Sequence, residues 1–298
     1  MSGNWRASRS SQPIDARDLC KKRPILRSLD FDQRSAECFA LVSRTRTERT
    51  GGPALGGSCL AERFGRYVDL SVAEREALDT LEEQDRSYRR GAIVIAENEK
   101  PRELFVVRSG WLHSSAVLGN GSRQIMRFQL QGDIIGLPFL AFPRSPETVT
   151  AITDVVLCAF SRERLAALIS NHPRLASLLL ALMVADRVSL ADRLASIGRT
   201  SARARVSSLF CELYVRLKSL DQARDDVIQL PLTQEEIGDA TGLTAVHVNR
   251  MVRRLVEDGI IERNGGGHVR ILNPDQLCAD AAYSDRKLSE IGWLPPPR

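Results

Sequence analysis

What this chain of 298 residues lacks narrows its class before any motif is read. Its longest apolar run, residues 178–185, stops at Asp186 and falls well short of the roughly 20 residues that cross a bilayer. No apolar stretch of the kind found in secretory leaders stands near the start, so the cytoplasm is the expected location and no membrane partner is expected. Histidine is scarce, and His113, His172, His247 and His268 stand at no metal-ligand or catalytic-triad spacing. No glycine-rich phosphate loop occurs, and no stretch is left over for a catalytic domain, so an enzyme is not expected. The six cysteines (Cys20, Cys38, Cys59, Cys158, Cys211, Cys278) include no C-x-x-C pair and no recurring interval. In a cytoplasmic chain that pattern argues against disulfides and against a zinc site.

The chain also lacks an even charge distribution. Residues 1–60 hold 11 Lys or Arg against 6 Asp or Glu, which accounts for the whole net charge of +5. The C-terminal half is nearly neutral, so any electrostatic footprint there must come from arrangement. Residues 1–59 mix Arg, Ser, Thr and Gly with few apolar side chains and are expected to form a disordered basic extension.

Residues 230–270 carry the densest local signals. Thr233 followed three residues later by Glu236 is a capping box, in which each side chain satisfies the other's free backbone amide. Ile237 and Ala240 give the helix a buried side, and Gly242 can end it in the left-handed conformation. Thr244 then caps a second helix whose Val248, Met251, Val252 and Leu255 share a face. Ala245, His247, Asn249, Arg250, Arg253 and Arg254 lie opposite. Gly259 closes it, and two short apolar runs around Gly265, Gly266 and Gly267 predict a hairpin wing. Together these elements describe a winged helix-turn-helix, whose second helix fits the DNA major groove.

Upstream, residues 60–81 predict short helices, and strand signals follow at 91–95, 103–108, 111–118, 122–130, 132–136 and 148–160. Asn120-Gly121 predicts a type I′ hairpin turn. Many short strands with glycine turns indicate a jelly-roll-like β-barrel. Pro173 then opens a long helix in which Ala176, Leu180, Met183, Arg187, Leu190, Leu194 and Ile197 repeat at four-three spacing, a seam for a partner helix. Gly198 is expected to break that helix. Residues 202–220 supply the first core helix of the following domain.

The stretches Thr-Gln-Glu-Glu-Ile-Gly at 233–238, Gly242-Leu243-Thr244 and Val248-Asn249-Arg250 resemble the DNA-binding domain of the CRP/FNR transcription regulators. The resemblance covers about residues 60 to 275. It implies an α+β protein: an N-terminal jelly-roll-like β-barrel sensor domain, a long dimerisation helix and a C-terminal winged helix-turn-helix. The expected divisions are a basic extension at 1–59, a cyclic-nucleotide-binding-like sensor at 60–168, a dimerisation helix at 169–198, a winged helix at 199–276 and a tail at 277–298.

The implied partners are double-stranded DNA, a second copy of the chain and RNA polymerase. Arg250 is the expected base reader, because Arg makes the commonest specific pair with guanine. Thr244, Ala245, His247 and Asn249 would face the groove beside it. Thr233, Gln234, Arg253 and His268 would sit at phosphates. The family's usual acidic reader near the start of this helix is replaced by Val246. Its cyclic-nucleotide binders carry a Glu for the ribose and an Arg for the phosphate, where this chain has Leu137 and Ser145, with Arg144 one residue away. That damaged cassette argues against a cyclic nucleotide, and Cys20, Cys38 and Cys59 are too dispersed to complete an iron–sulfur cluster with Cys158. No ligand-binding residues follow from the sequence. A different class, a ligand-binding regulatory or scaffold protein using the winged helix for protein contacts, is compatible with the near-neutral charge of that domain.

Overall fold

The computed structural model describes residues 57–82, 84–281 and 293–294. The basic extension expected at 1–59 and the final prolines lie almost wholly outside them. Described structure opens with two short helices, α1 (Cys59–Gly65) and α2 (Val72–Leu81). Serine caps explain where both begin. Ser58 accepts the amide of Ala61, and Ser71 and Glu74 form a reciprocal capping box.

Eight strands follow: β1 (Asp85–Tyr88), β2 (Ile93–Ile95), β3 (Glu103–Ser109), β4 (Leu112–Val117), β5 (Arg123–Gln129), β6 (Ile134–Ile135), β7 (Thr148–Ala151) and β8 (Val155–Ser161). They form two antiparallel sheets, in the orders β1-β8-β3-β6 and β2-β7-β4-β5. Two four-stranded sheets closed over one core are the jelly-roll arrangement that the glycine-punctuated strands predict. Phe105, Val107, Leu112, Phe139, Val149 and Leu157 fill the space between them. Strand β1 had no sequence signal: Asp-Arg-Ser-Tyr is polar and becomes a strand by pairing with β8, Asp85 opposite Cys158. Cys158 is fully buried, with Arg108 Nε donating to its sulfur at 3.1 Å, and burial pushes its thiol pKa up.

The turn between β4 and β5 corrects one expectation. A type I′ turn needs positive φ at both central residues, and Asn120 does not have it, whereas Gly121 does, at 83°. The Gly121 amide donates to Leu118 O at 2.8 Å, so Gly119 and Asn120 are the central pair. Gly121 then supplies the left-handed residue of a three-residue loop. The Asn120 carboxamide oxygen accepts from the Ser122 amide at 3.0 Å and locks the exit.

Helix α3 (Arg162–Asn171) leads into α4 (Pro173–Arg199), with Pro173 at its first position. Gly198 does not end α4. The helix runs through it and stops where Thr200 turns extended, its hydroxyl donating to Ser196 O at 2.7 Å, and where Ser201 caps the next helix. The two faces of α4 differ. Leu175, Leu178, Leu179 and Leu182 pack into the core formed by α1, α2 and the outer side of the first sheet. Leu180, Met183, Val184, Leu190 and Leu194 remain exposed, Leu194 by 72%.

The C-terminal part comprises α5 (Ala202–Ser219), β9 (Val227–Gln229), α6 (Gln234–Thr241), α7 (Ala245–Glu257), β10 (Ile261–Asn264), β11 (His268–Ile271) and α8 (Pro274–Ala281). The expected wing hairpin is β10 paired with β11, Asn264 opposite His268. The sequence reading missed β9, which joins β11 as a third strand. It also placed the tail too early. Residues 277–281 are helical, Leu277 is fully buried, and α8 packs on α5. That packing brings Cys211 and Cys278 to 5.8 Å between Cα atoms, within disulfide reach, and they are bonded. The expectation of no disulfide is thereby overturned: the partners are 67 residues apart, and no spacing motif announces them.

Candidate nucleic-acid interface

Helix α6 starts as its capping box requires. The Thr233 amide and hydroxyl donate to the Glu236 carboxylate at 2.7 and 3.0 Å, and the Glu236 amide returns to the Thr233 hydroxyl at 3.1 Å. The turn to α7 depends on two glycines. Gly242 sits at φ 67° and ends α6. Gly238 packs so closely on the turn that a Cβ there would lie 2.5 Å from Leu243 O. Any side chain at 238 would therefore push the two helices apart. Thr244 caps α7 by accepting the His247 amide at 3.3 Å.

Val248, Met251, Val252 and Leu255 bury one side of α7 and fix its rotation. His247, Asn249, Arg250, Arg253 and Arg254 are exposed on the other, and Ala245 is half-buried at its start. The structure thus places Ala245, His247, Asn249, Arg250 and Arg253 on α7 and Thr244 at its cap. The phosphate candidates are less uniform. Thr233 is exposed, but its single hydroxyl hydrogen is engaged by Glu236. Gln234 is half-buried, with its Oε1 buried and unpartnered. His268 is exposed at the wing, with Nδ1 3.1 Å from Gly265 O. Sequence reasoning passed over Arg263, an exposed cation on β10 one residue from the wing turn. Its place at the tip of the hairpin was the signal that could have found it.

The helix-turn-helix is held against the barrel by contacts no motif announced. Trp111, Ile125, Phe128, Leu130 and Ile152, on the outer side of the second sheet, share one apolar cluster with Val206, Phe210 and Leu213 of α5. Around it runs a network of charges. Asp133, in the turn after β5, pairs with Arg63 at 2.6 Å, Arg127 at 3.3 Å and Arg216 at 2.6 Å, and accepts the Leu130 amide at 2.9 Å. Asp186 of α4 pairs with Arg127 at 2.6 Å, and Arg193 of α4 pairs with Glu212 of α5 at 2.6 Å. Burial opposes the ionised form of Asp133, but the three arginines win and hold its pKa well below the usual carboxylate range. At α6, Arg123 Nε donates to the Asp239 carboxylate at 2.7 Å and Gln124 Nε2 to the Asp239 carbonyl at 2.6 Å. Barrel, long helix and helix-turn-helix therefore meet in one joint.

Known proteins combine the same two parts. The cyclic nucleotide-binding domain family matches residues 85–172, and the Crp-like helix-turn-helix domain family matches residues 204–280. The transcriptional activator protein FnrL of Cereibacter sphaeroides is 30% identical over 213 residues, spanning 70% of this chain and 85% of that protein. The chain belongs to the CRP/FNR family of transcription regulators. It is a DNA-binding regulator with a sensor domain. A second relative, the transcriptional activator protein FnrA of Stutzerimonas stutzeri, is 26% identical over 76% of this chain and 89% of its own length. Among solved structures, FixK2 from Bradyrhizobium japonicum superposes with a TM-score of 0.61 at 27% identity, covering 67% of this chain and 98% of that one. Among the described residues, no helix is long and apolar enough to cross a membrane.

The first family's name implies a cyclic nucleotide, and the residues here do not fit one. A cyclic phosphate buried in a barrel needs a positioned cation. Ser145 stands at the expected place, buried, with its hydroxyl donating to Glu147 O at 2.6 Å. Arg144 is exposed and donates to Asn98 O at 2.7 Å. Leu137 replaces the ribose-holding carboxylate, and the Phe139 ring beyond it is buried among the barrel's apolar side chains.

Proposed function

We propose that this regulator acts in the cytoplasm as a homodimer on a palindromic DNA site, with its activity set at the β-barrel. The observation that carries the reading is the outer face of α4. Leu180, Met183, Leu190 and Leu194 are exposed at four-three spacing, while the other face of the same helix is already covered by its own barrel. A stripe of that length and spacing is what a second copy of the helix would bury. Pairing through it would present two α7 helices, one to each half-site. On this reading Arg250 contacts a base, Thr244, Ala245, His247 and Asn249 line the groove, and Thr233, Gln234, Arg253 and His268 lie near phosphates. RNA polymerase is the partner through which a DNA-bound copy would act on transcription. Neither proposed contact needs catalysis.

Replacing Leu190 and Leu194 together by Asp places two charges per chain in the seam. Sedimentation at micromolar concentration is expected to show the native chain as a dimer and the double variant as a monomer that no longer shifts a palindromic duplex. A native chain that sediments as a monomer, or a variant that stays dimeric, would remove the reading.

A further inference from the structure

The DNA-facing side of α7 contains one large side chain with no polar group to offer. Val246 is 81% exposed, more than any other large hydrophobic among the described residues. It is the second residue of the helix, inside the turn that Thr244 caps, and it has no acidic neighbour in that turn. Positions three and four residues later on a helix lie on the same face, so Val246 stands beside Asn249 and Arg250 and opposite the buried stripe. Isolated exposed hydrophobics are ordinary on protein surfaces. This one occupies the first turn of the helix that enters the groove, where each side chain meets base edges.

The groups by which base pairs differ in the major groove are hydrogen-bond donors and acceptors and one apolar protrusion, the 5-methyl of thymine. A valine has nothing to exchange with the former and fits the latter. It would leave any cytosine amino group or guanine oxygen facing it desolvated and unpaired, which penalises the wrong base. Its branched Cβ also restricts χ1, so little side-chain freedom is lost on contact.

We propose that Val246 is a specificity-determining residue that packs on the methyl group of a thymine next to the base pair read by Arg250. The proposal rests on the DNA-binding reading above.

The test uses the full-length chain and duplexes enriched from a randomised pool. The native protein should enrich half-sites with thymine at one fixed position, and Val246→Ala should lose the preference there while keeping the neighbouring guanine. Deoxyuridine in place of that thymine removes the methyl alone. It should weaken the native protein about four-fold, the worth of one buried methyl-sized group, and leave Val246→Ala unchanged. The deoxyuridine arm needs no variant, so it stands whatever the substitution does to folding. If no enriched thymine can be replaced by deoxyuridine at a loss, or if Val246→Ala enriches the same half-sites with equal stringency, the assignment is overturned while DNA binding stands. If no duplex is enriched at all, both this proposal and the reading beneath it fall.

Discussion

Arginine is used in two opposite ways in this molecule. At the joint between barrel and helix-turn-helix, Arg63, Arg127, Arg193 and Arg216 are all paired with Asp133, Asp186 or Glu212. The side chain of Asp133 at their centre is 5% exposed. On α7, Arg250, Arg253 and Arg254 are exposed, and none makes an ion pair among the described residues. A cation matched inside the fold serves to position elements and is withdrawn from any ligand. A cation left unmatched on a rotationally fixed face is available to a polyanion. The near-zero charge of the C-terminal half is thus no obstacle to DNA binding, because three of the acidic groups nearest the helix-turn-helix are drawn into the joint or a helix cap. Asp239 and Glu212 face Arg123 and Arg193, and Glu236 faces its own helix start.

The comparison breaks most sharply at Asp133. Asp133→Asn leaves three guanidinium groups without their shared anion. Removing one partner from a buried network costs roughly 3–5 kcal/mol, and the lower end is expected because the arginines retain some solvent contact. Urea unfolding measures it, and a loss below about 1 kcal/mol would mean that the joint is not held by these charges. Arg250→Ala should leave stability unchanged but cost about 1–3 kcal/mol on the specific site and flatten preference at one base pair per half-site. Equal losses on specific and scrambled duplexes would show that Arg250 reads no base.

His113 sharpens the comparison from the barrel side. It is buried on β4, facing Arg123 of the barrel and Glu236 and Asp239 of α6, and its Nδ1 has no partner. Burial, and then Arg123, lower its pKa to about 4, while the two carboxylates oppose them. The unfolded chain takes up a proton near pH 6.5 and the folded chain only near pH 4. Stability from this group is therefore complete above about pH 6.5 and declines as pH falls toward 4. The difference in unfolding free energy between native chain and His113→Gln should follow that window; a difference flat in pH would contradict the burial argument. The smallest effect is expected at Arg253, one turn further along α7, which the proposed reading places nearer phosphates than bases. Arg253→Ala should weaken all sequences alike and lower the salt slope by about one. A loss confined to the specific site would move it among the base readers.

The helix-turn-helix was legible because its signals are local. A capping box closes over three residues, Gly242 answers a backbone requirement at its own position, and the apolar side of α7 repeats with the helix period. Each is satisfied by chain neighbours whatever the rest of the molecule does. The barrel was legible for a similar reason, through alternating strands and glycine turns, and so was the four-three stripe on α4. Where local signals competed, the sequence reading failed. Asn120-Gly121 chose a three-residue loop over a type I′ turn, and Thr200 with Ser201 ended α4 instead of Gly198. Strands β1 and β9 have no pattern of their own and exist through their pairing with β8 and β11. The joint and the Cys211–Cys278 bond were out of reach. Apart from Glu212 and Arg216, four residues apart on α5, residues 63, 127, 133, 186, 193, 212 and 216 share no spacing, and their attraction becomes large only when docking removes water from between them. Sequence alone determined the helices of the helix-turn-helix, most strands of the barrel and which face of α7 is free. Tertiary structure alone decided which arginines are held inside and which remain unpaired at the surface.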